Sequence, residues 1–482
     1  MYWGVGQIGE GVKNAAFNSF LLFYYNQILG VSATLTALAL GIAVLFDAVS
    51  DPLVGSISDR FKSRWGRRHP FMAMSAFPMA LTLFLLFSPP DGMTELFYFG
   101  WVLVFAISVR TFLTLYHIPH LALGAEMATD YVDRNSLFAV GLLFSAFSAY
   151  GFYFLILTFV FPSQEGLAHG MYNAAGYRIM AASAGVLAFF TIMLSVWGTR
   201  DMIPRLSQAV DAKQPLSPGR LFGELKIAFS NKSYRSIFFG LMLGAIVVSV
   251  EAAFTPFMGI HFWELETDQL RLVPIGVLFG LPLGVVIAIY LVRVLDKKWC
   301  LIIPAAISIV NLNVLIVLRL FDVLPANGHW SILPLLIGVS FIAAAAIPVV
   351  LITINSMFAD ITDEIELETA ERQEGIIYSA RAFAGKAASA LGTIMGGIAL
   401  DLIAFPKNSL PGTIDPDVIF NLGLVQGPLT SIFTLMGLML YLGYRLSRER
   451  HQEIVAALQV QRVKRAGARE VPVGTRGISG TL

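Results

Sequence analysis

Two aspartates one helical turn apart, Asp47 and Asp51, interrupt a run of residues that is otherwise apolar enough to sit in a membrane. Around them Asp47, Ser50, Asp51, Gly55, Ser58 and Asp59 recur at i, i+3 and i+4, which predicts one polar stripe down an apolar helix. Two carboxylates this close repel each other in a low dielectric. The pair is stabilised by holding a proton or a small cation, or by a permanent salt bridge to Lys386 or Arg110. The other ionisable residues inside apolar runs are Glu10, Lys13, Arg110, His117, His120, Glu251, Arg381 and Lys386, and each is expected to face protein or water rather than lipid. Arg110, Thr114 and His117 share one helix face, next to a backbone carbonyl freed by Pro119. His117 and His120 lack a local carboxylate or cysteine, so they read as proton acceptors or hydrogen-bond partners of a solute, not as a metal site. Glu10 and Lys13, with Asn14 beside them, either neutralise each other or face a cavity. Glu251 has no local partner and is expected either on a second-half binding surface or near a water-accessible kink. Arg381 and Lys386 lie five residues apart with Gly385 between them, and Lys386 is the strongest candidate for a charge that exchanges with an ion.

The elements that must position these residues are transmembrane helices. Of 482 residues, 56% are hydrophobic and 13% charged, with mean hydropathy +0.71, far from the composition of a soluble domain. Apolar blocks of about 20 residues fit spanning helices rather than the alternating strands of a barrel. Twelve spans are expected near 3–29, 34–59, 69–88, 95–127, 136–161, 174–198, 233–260, 271–294, 299–321, 329–358, 374–402 and 424–446. The fold class is therefore an all-α integral membrane protein with two six-helix bundles. The divisions are 1–198 for the first bundle, 199–232 for a linker punctuated by Pro204, Pro215 and Pro218, 233–446 for the second, and 447–482 for a solvated tail. Asp59-Arg60 after the second span is echoed by Asp296-Lys297-Lys298 after the eighth, as an internal repeat would place it. The loop after the second span carries Arg60, Lys62, Arg64, Arg67 and Arg68. The linker carries Arg200, Arg205, Lys213, Arg220, Lys226 and Lys232, and the loops after spans one, three and nine carry no lysine or arginine. By the positive-inside rule both termini are expected in the cytoplasm, in a multi-pass protein of the cytoplasmic membrane. The first helix is expected to stay, since Met1 to Gly9 has no basic n-region.

Several functions are excluded on the same basis. A net charge of +1 without a basic domain argues against nucleic acid, and Cys300 alone cannot form an internal disulfide. There is no His-Glu-x-x-His, Gly385-Lys386-Ala387 lacks the rest of a P-loop, and the Gly-x-Ser-Gly at Gly477 to Gly480 lies in the tail. An enzyme, a cofactor and a resident metal are not expected.

The stretch Phe46-Asp47-Ala-Val-Ser50-Asp51-Pro52-Leu-Val-Gly55, followed by Ser58-Asp59-Arg60-Phe-Lys-Ser-Arg64-Trp65-Gly66-Arg67-Arg68, resembles the glycoside–pentoside–hexuronide:cation symporters, melibiose permease-like proteins of the major facilitator superfamily. The resemblance continues in Tyr24 to Gly30, Thr114 to Pro119, Ala359 to Glu364 and Gly375 to Lys386, so it touches both halves. It implies two bundles rocking about a midplane site, with sugar or glycoside moved together with sodium or a proton. It also implies a cation site from Asp47, Ser50, Asp51 and Thr114 with Lys386 nearby. The loop Asp59 to Arg68 resembles the superfamily's gating loop. There Arg64, Arg67 and Arg68 are expected either to pair with Asp360, Asp363 and Glu364, with Asp59 orienting them, or to serve topology only. The chain departs from the pattern at Ser50 (asparagine), His117 (aspartate), Gly11 with Glu10 beside it (the sugar-binding aspartate), Leu121 (an aromatic) and Ala139 to Leu142 (an arginine). The loss of charge at His117 favours a proton, although two aspartates still suit sodium. A lysolipid or other organic solute is the alternative cargo, and a non-transporting sensor or a passive channel the alternative class. One chain contains both bundles, so a monomer is expected.

Overall fold

The computed structural model describes residues 1–128, 131–164, 169–205, 226–369 and 374–469, and among them every regular element is helical. The first half comprises α1 (Tyr2–Ala15), α2 (Ala33–Arg60), α3 (His69–Leu86), α4 (Glu95–Met127), α5 (Tyr131–Phe159) and α6 (Ala174–Gly198). The second comprises α7 (Lys232–Phe257), α8 (Ile275–Val294), α9 (Lys297–Leu320), α10 (Ile332–Thr369), α11 (Glu374–Leu402) and α12 (Pro416–Tyr441). Eleven of the described helices are long and apolar enough to cross a membrane. The remaining span starts as α1 and continues through wider π-helical turns at Ala16–Leu21 and Tyr24–Ile28, which accommodate the buried rings of Phe20, Phe23, Tyr24 and Tyr25.

Helix starts follow local capping chemistry. Ser32 accepts from the Leu35 amide, Thr94 from Phe97 and Asn231 from Tyr234, each satisfying a donor that the first turn leaves open. Asp415 caps Asp417 and Pro416 sits in the first turn, so the last span begins at Pro416 and not near 424 as hydropathy suggested. Hydropathy also ended α10 too early: the helix runs on to Thr369, because Phe358, Ile361 and Ile365 keep an apolar face buried among its charges.

In the first half α1 packs on α5 and α6, α2 on α4, and α3 on α4 and α6. In the second, α8 packs on α10, and α7 on α11 and α12. The halves meet chiefly along α2 and α11. Small residues allow that approach: a Cβ on Gly397 would come within 2.3 Å of the Ala37 Cβ and 2.5 Å of the Ala33 carbonyl oxygen.

The tail differs from the solvated expectation. A final helix, α13 (Arg448–Arg469), buries Ile454 and Leu458 in one cluster with Phe358, Ile361 and Ile365 of α10. Linker residues 206–225, with Lys213, Pro215, Pro218 and Arg220, and residues 470–482, with Gly477 to Gly480, lie outside the described residues.

Candidate functional site

Between the halves lies a cavity of about 800 Å³. Its first-half wall presents Glu10, Asn14, Phe17, Asn18, Asp47 and Arg110, and its second-half wall presents Ser249, Tyr378, Arg381, Lys386, Ser389 and Thr393. The walls differ in charge, with acids on the first half and bases plus hydroxyls on the second, apart from Arg110.

At the junction of the walls the paired aspartates gather the charges that the sequence singled out. Arg110 Nη1 donates to Asp47 Oδ2 at 3.0 Å. Lys386 Nζ donates to Asp51 Oδ2 and lies 3.6 Å from Asp47 Oδ2. Thr114 Oγ1 stands 3.0 Å from Asp47 Oδ1 and 2.9 Å from Asp51 Oδ1. A hydroxyl has one proton to donate, so it can satisfy only one of those oxygens at a time. These three convergent oxygens could hold a proton or a small hard cation, while the two basic side chains neutralise the outer oxygens. Ser50, on the same helix, donates back to the Asp47 carbonyl at 3.4 Å. Phe17 lies below both Arg110 and Lys13, 5.5 and 5.3 Å from its ring centre.

Glu10 and Lys13 do not neutralise each other. Glu10 Oε2 lies 3.5 Å from His117 Nδ1, and buried Lys13 donates to Asn14 Oδ1 at 2.7 Å. Their side chains diverge because α1 turns one toward α4 and the other toward Phe17. His120 does not line the cavity. It is fully buried inside the first bundle, stacked between Trp3 and Tyr116 at 4.8 and 4.9 Å, with the Trp3 indole donating to its carbonyl. Glu251 lies on α7 beside the cavity-lining Ala252 but does not itself line the cavity. Arg381 does line it, donating to Asn355 Oδ1 at 2.5 Å and resting on the rings of Phe358 and Tyr378. Asn18, Ser249, Ser389 and Thr393 add polar groups to the lining that were not singled out in the sequence, and Tyr378 entered there only within the Gly375 to Lys386 match. Their one signal is polarity within a span, which Thr393 shares with ordinary helix threonines by donating to the Ser389 carbonyl.

One end of the cavity is closed by contacts between the halves. Gln27 Nε2 donates to the Pro406 carbonyl, and its Oε1 accepts from the Ser409 amide and hydroxyl. Tyr172 donates to the Ser409 carbonyl and lies 3.2 Å from His261 Nε2. Asp401 accepts from Ser32 Oγ and from the Ala33 and Thr34 amides at the start of α2. Lys407 pairs with Glu95, and Phe23 meets Phe257 at 5.5 Å. His169 Nδ1 accepts from the Met171 amide, which leaves the proton on Nε2 facing Thr267 Oγ1 at 3.4 Å, and burial pushes this ring down to about 4.

At the other end, where the basic loop lies, the ion pairs among the described residues lie within each half. Arg67 and Arg68 converge on Glu126, with Asp59 3.7 and 3.6 Å away. Burial pushes the Arg68 guanidinium down, against the pull of Glu126. Asp360 binds Lys297 and lies 3.3 Å from His451, Asp363 lies 3.4 Å from His451, and Glu364 accepts from Asn231. The expected partnership of these arginines with Asp360, Asp363 and Glu364 is thus not the arrangement of this state. Glu126, Lys297 and His451 are the partners that sequence reasoning missed. Lys62 and Arg64 are exposed, as is Arg60. The cavity is closed at one end and reaches toward the basic end through Glu10, Leu241 and Tyr378.

The family described as MFS/sugar transport protein matches residues 2–448, nearly the whole described chain. The chain belongs to this transport family. Its symporter relatives place it with the glycoside–pentoside–hexuronide:cation symporters of the major facilitator superfamily. An uncharacterised symporter of Synechocystis sp. is 25% identical over 95% of this chain and 96% of its own. The glucuronide carrier protein homolog of Escherichia coli is 23% identical over 94% and 93%. Among solved structures, a bacterial homolog of the human lysosomal transporter Spinster, in an inward-facing and unoccupied conformation, superposes with a TM-score of 0.62 at 12% identity, over 93% of this chain and 97% of that one. That likeness identifies the two-bundle fold of the superfamily and nothing finer. Within this transport family's fold, the aspartates of α2 and Lys386 of α11 sit where the two bundles meet, so one ion pair spans both moving parts.

Proposed function

We propose that this protein is a symporter that moves a sugar or glycoside across the cytoplasmic membrane, driven by a co-transported sodium ion or proton, by alternating access between its two bundles. Both termini and the basic loops are assigned to the cytoplasm by the positive-inside rule, which makes the present state open inward. The observation that carries this reading is the group Asp47, Asp51, Thr114, Arg110 and Lys386 at the bundle junction. When the ion enters among the three oxygens, it competes with Lys386 for the aspartates. Releasing Lys386 frees a charge on the α11 wall beside Ser389 and Thr393 and so couples ion to solute. Asn14, Asn18, Ser249 and Ser389 offer hydrogen-bond partners to a hydroxyl-rich solute, and Phe17, Leu22, Leu40 and Val44 offer apolar faces beside them. The symporter names of its relatives agree with this assignment.

Alternation also assigns a role to the basic loop. In the inward-closed state Arg67 and Arg68 turn from Glu126, and Arg64 from solvent, toward Asp360, Asp363 and Glu364, with Asp59 orienting them. One chain supplies both bundles, so the working unit is a monomer.

Asp47→Asn and Asp51→Asn, reconstituted in liposomes, test the coupling. Each is expected to lower ion-driven accumulation of solute by about 100-fold or more, following loss of a charge-assisted ion site, while exchange of solute persists. Concentrative uptake retained in both variants would overturn the reading.

A further inference from the structure

We propose that Glu10 and His117 form a proton-binding site of their own, and that one proton crosses the membrane on this pair in each cycle, beside the ion held by the paired aspartates. This rests on the symport reading above and adds a second coupled cation to it.

The ion pairs around the cavity differ in kind. Asp47 has Arg110 and Asp51 has Lys386, bases that are ordinarily charged at neutral pH, whereas Glu10 has His117, a side-chain type whose charge comes and goes with a proton. Glu10 Oε2 and His117 Nδ1 stand 3.5 Å apart, and the two side chains keep 26% and 23% of their surface exposed. Water can therefore bring a proton to the pair and take it away. Glu10 lines the cavity beside Asn14 and Phe17, on the wall opposite Lys386. Lys13, one turn along α1, is turned to Asn14 and does not take the place of His117.

The charged and titratable groups around the pair come from every neighbouring helix. Lys13 lies within electrostatic reach of Glu10 and also of Asp47 on α2, Arg110 on α4 and Lys386 on α11, so a proton on the pair is felt at the aspartates. Tyr116 is in reach of Glu10, and His120 of His117, from deeper in the bundle. The helices α5 and α6 bring hydroxyls, Ser148 beside Gly11 and Ser195 beside Gly6. Residues 136–159 of α5 include no charged side chain, and the one of α6, Arg178, lies 3.7 Å from Asp91.

Occlusion gives the pair its role. When the cavity closes with His117 neutral, the Glu10 carboxylate loses water without gaining an ion partner, which is costly. With a proton added, imidazolium and carboxylate close as a neutral unit. The proton taken up on the ring from one side leaves to water on the other, and the pair returns to a single negative charge.

The test reconstitutes the full-length protein in liposomes with the membrane potential clamped. A trapped pH dye counts the protons that enter with each molecule of radiolabelled methyl β-glucoside. Glu10→Gln is expected to carry one proton fewer per glucoside than the parent, whichever ion the aspartates hold. His117→Gln leaves Glu10 bare, so the entry rate should fall by about tenfold or more, and combining it with Glu10→Gln should regain most of that loss, since the double variant closes as a neutral unit. Melting temperatures check that all three variants fold. An unchanged proton count in Glu10→Gln, or a double variant no faster than His117→Gln, overturns the proton site and leaves symport standing. If neither a sodium nor a pH gradient drives accumulation of the glucoside in the parent, the symport reading fails and the proton site falls with it.

Discussion

At the end of the molecule away from the basic loop, side chains of one half bind backbone of the other. Gln27 reaches Pro406 and Ser409, Tyr172 reaches Ser409, and Asp401 caps the first turn of α2. At the basic end the same kinds of group bind within their own half, as Arg67 and Arg68 do with Glu126 and Lys297 with Asp360. The difference teaches where the free energy of this state resides. The closed end is held by bonds that must break for it to open, whereas the ion pairs described at the basic end do not cross between the halves. Side chain to backbone bonds suit the closed end, because they fix position without requiring a particular partner residue. Arginine–carboxylate clusters suit the basic end, because they can exchange partners at small net cost.

The comparison breaks most sharply at Gly397. A leucine there must displace Ala33 and Ala37 of α2, so Gly397→Leu is expected to force the closed end apart. A cysteine introduced at Thr393 should react with an impermeant thiol reagent from the outside at least tenfold faster in that background, and an unchanged rate would show that the α2–α11 contact does not hold the end shut. Native Cys300 is buried and contributes little background.

A smaller effect is expected from pH. His169 is held neutral, down at about 4, only while the closed end buries it, and in an opened state its ring faces water near its ordinary value of about 6.5. The opened state therefore binds more protons between those values. Stabilisation of the closed end is complete above about pH 6.5 and is lost as pH falls toward about 4, by up to roughly tenfold per unit. Outside labelling should rise between pH 7 and pH 5 in the parent, and His169→Gln should flatten the rise. A parallel slope in both proteins would remove His169 from the seal.

The smallest effect sharpens the contrast from the other side. Glu126→Gln removes the carboxylate between Arg67 and Arg68, a contact wholly inside the first half. Outside labelling should change less than about twofold, since no bond between the halves is lost, while the melting temperature drops by a few degrees, as expected for a loss of about 1–3 kcal/mol. A large change in labelling would mean that the two ends are not built differently after all.

The helices and the charged residues of the cavity were legible in the sequence for one reason: a charge inside an apolar run is costly enough to stand out. That reason covers Asp47, Asp51, Arg110 and Lys386 one by one, while the meeting of Thr114 with both aspartates and the nearness of Lys386 followed from the family resemblance. It covers Arg381 too, although nothing local reveals that Asn355 and two rings hold it. His120 and Trp3 illustrate the limit, since a histidine near a site by spacing can be stacked in a bundle core by a residue more than a hundred positions away. The closed end was illegible as well. Gln27, Tyr172, His169 and Thr267 are unremarkable in type, and their significance lies in pairings across the two halves. The π-helical turns that follow α1 were not expected from the sequence, where Asn18, Ser19, Asn26 and Gln27 interrupt the apolar and aromatic residues.

The unequal walls of the cavity bear on how such a chain can diversify. Asp47, Asp51 and Thr114 are written in the first 198 residues, and Arg381, Ser389 and Thr393 after residue 233. Under the proposed coupling, substitutions among the second-half lining residues can retune cargo without touching the aspartates, while Asn14 and Asn18 keep part of the lining in the first half. Lys386 crosses to those aspartates from α11, so a graft of the second half onto a relative's first half should keep ion coupling only if it carries that lysine with it.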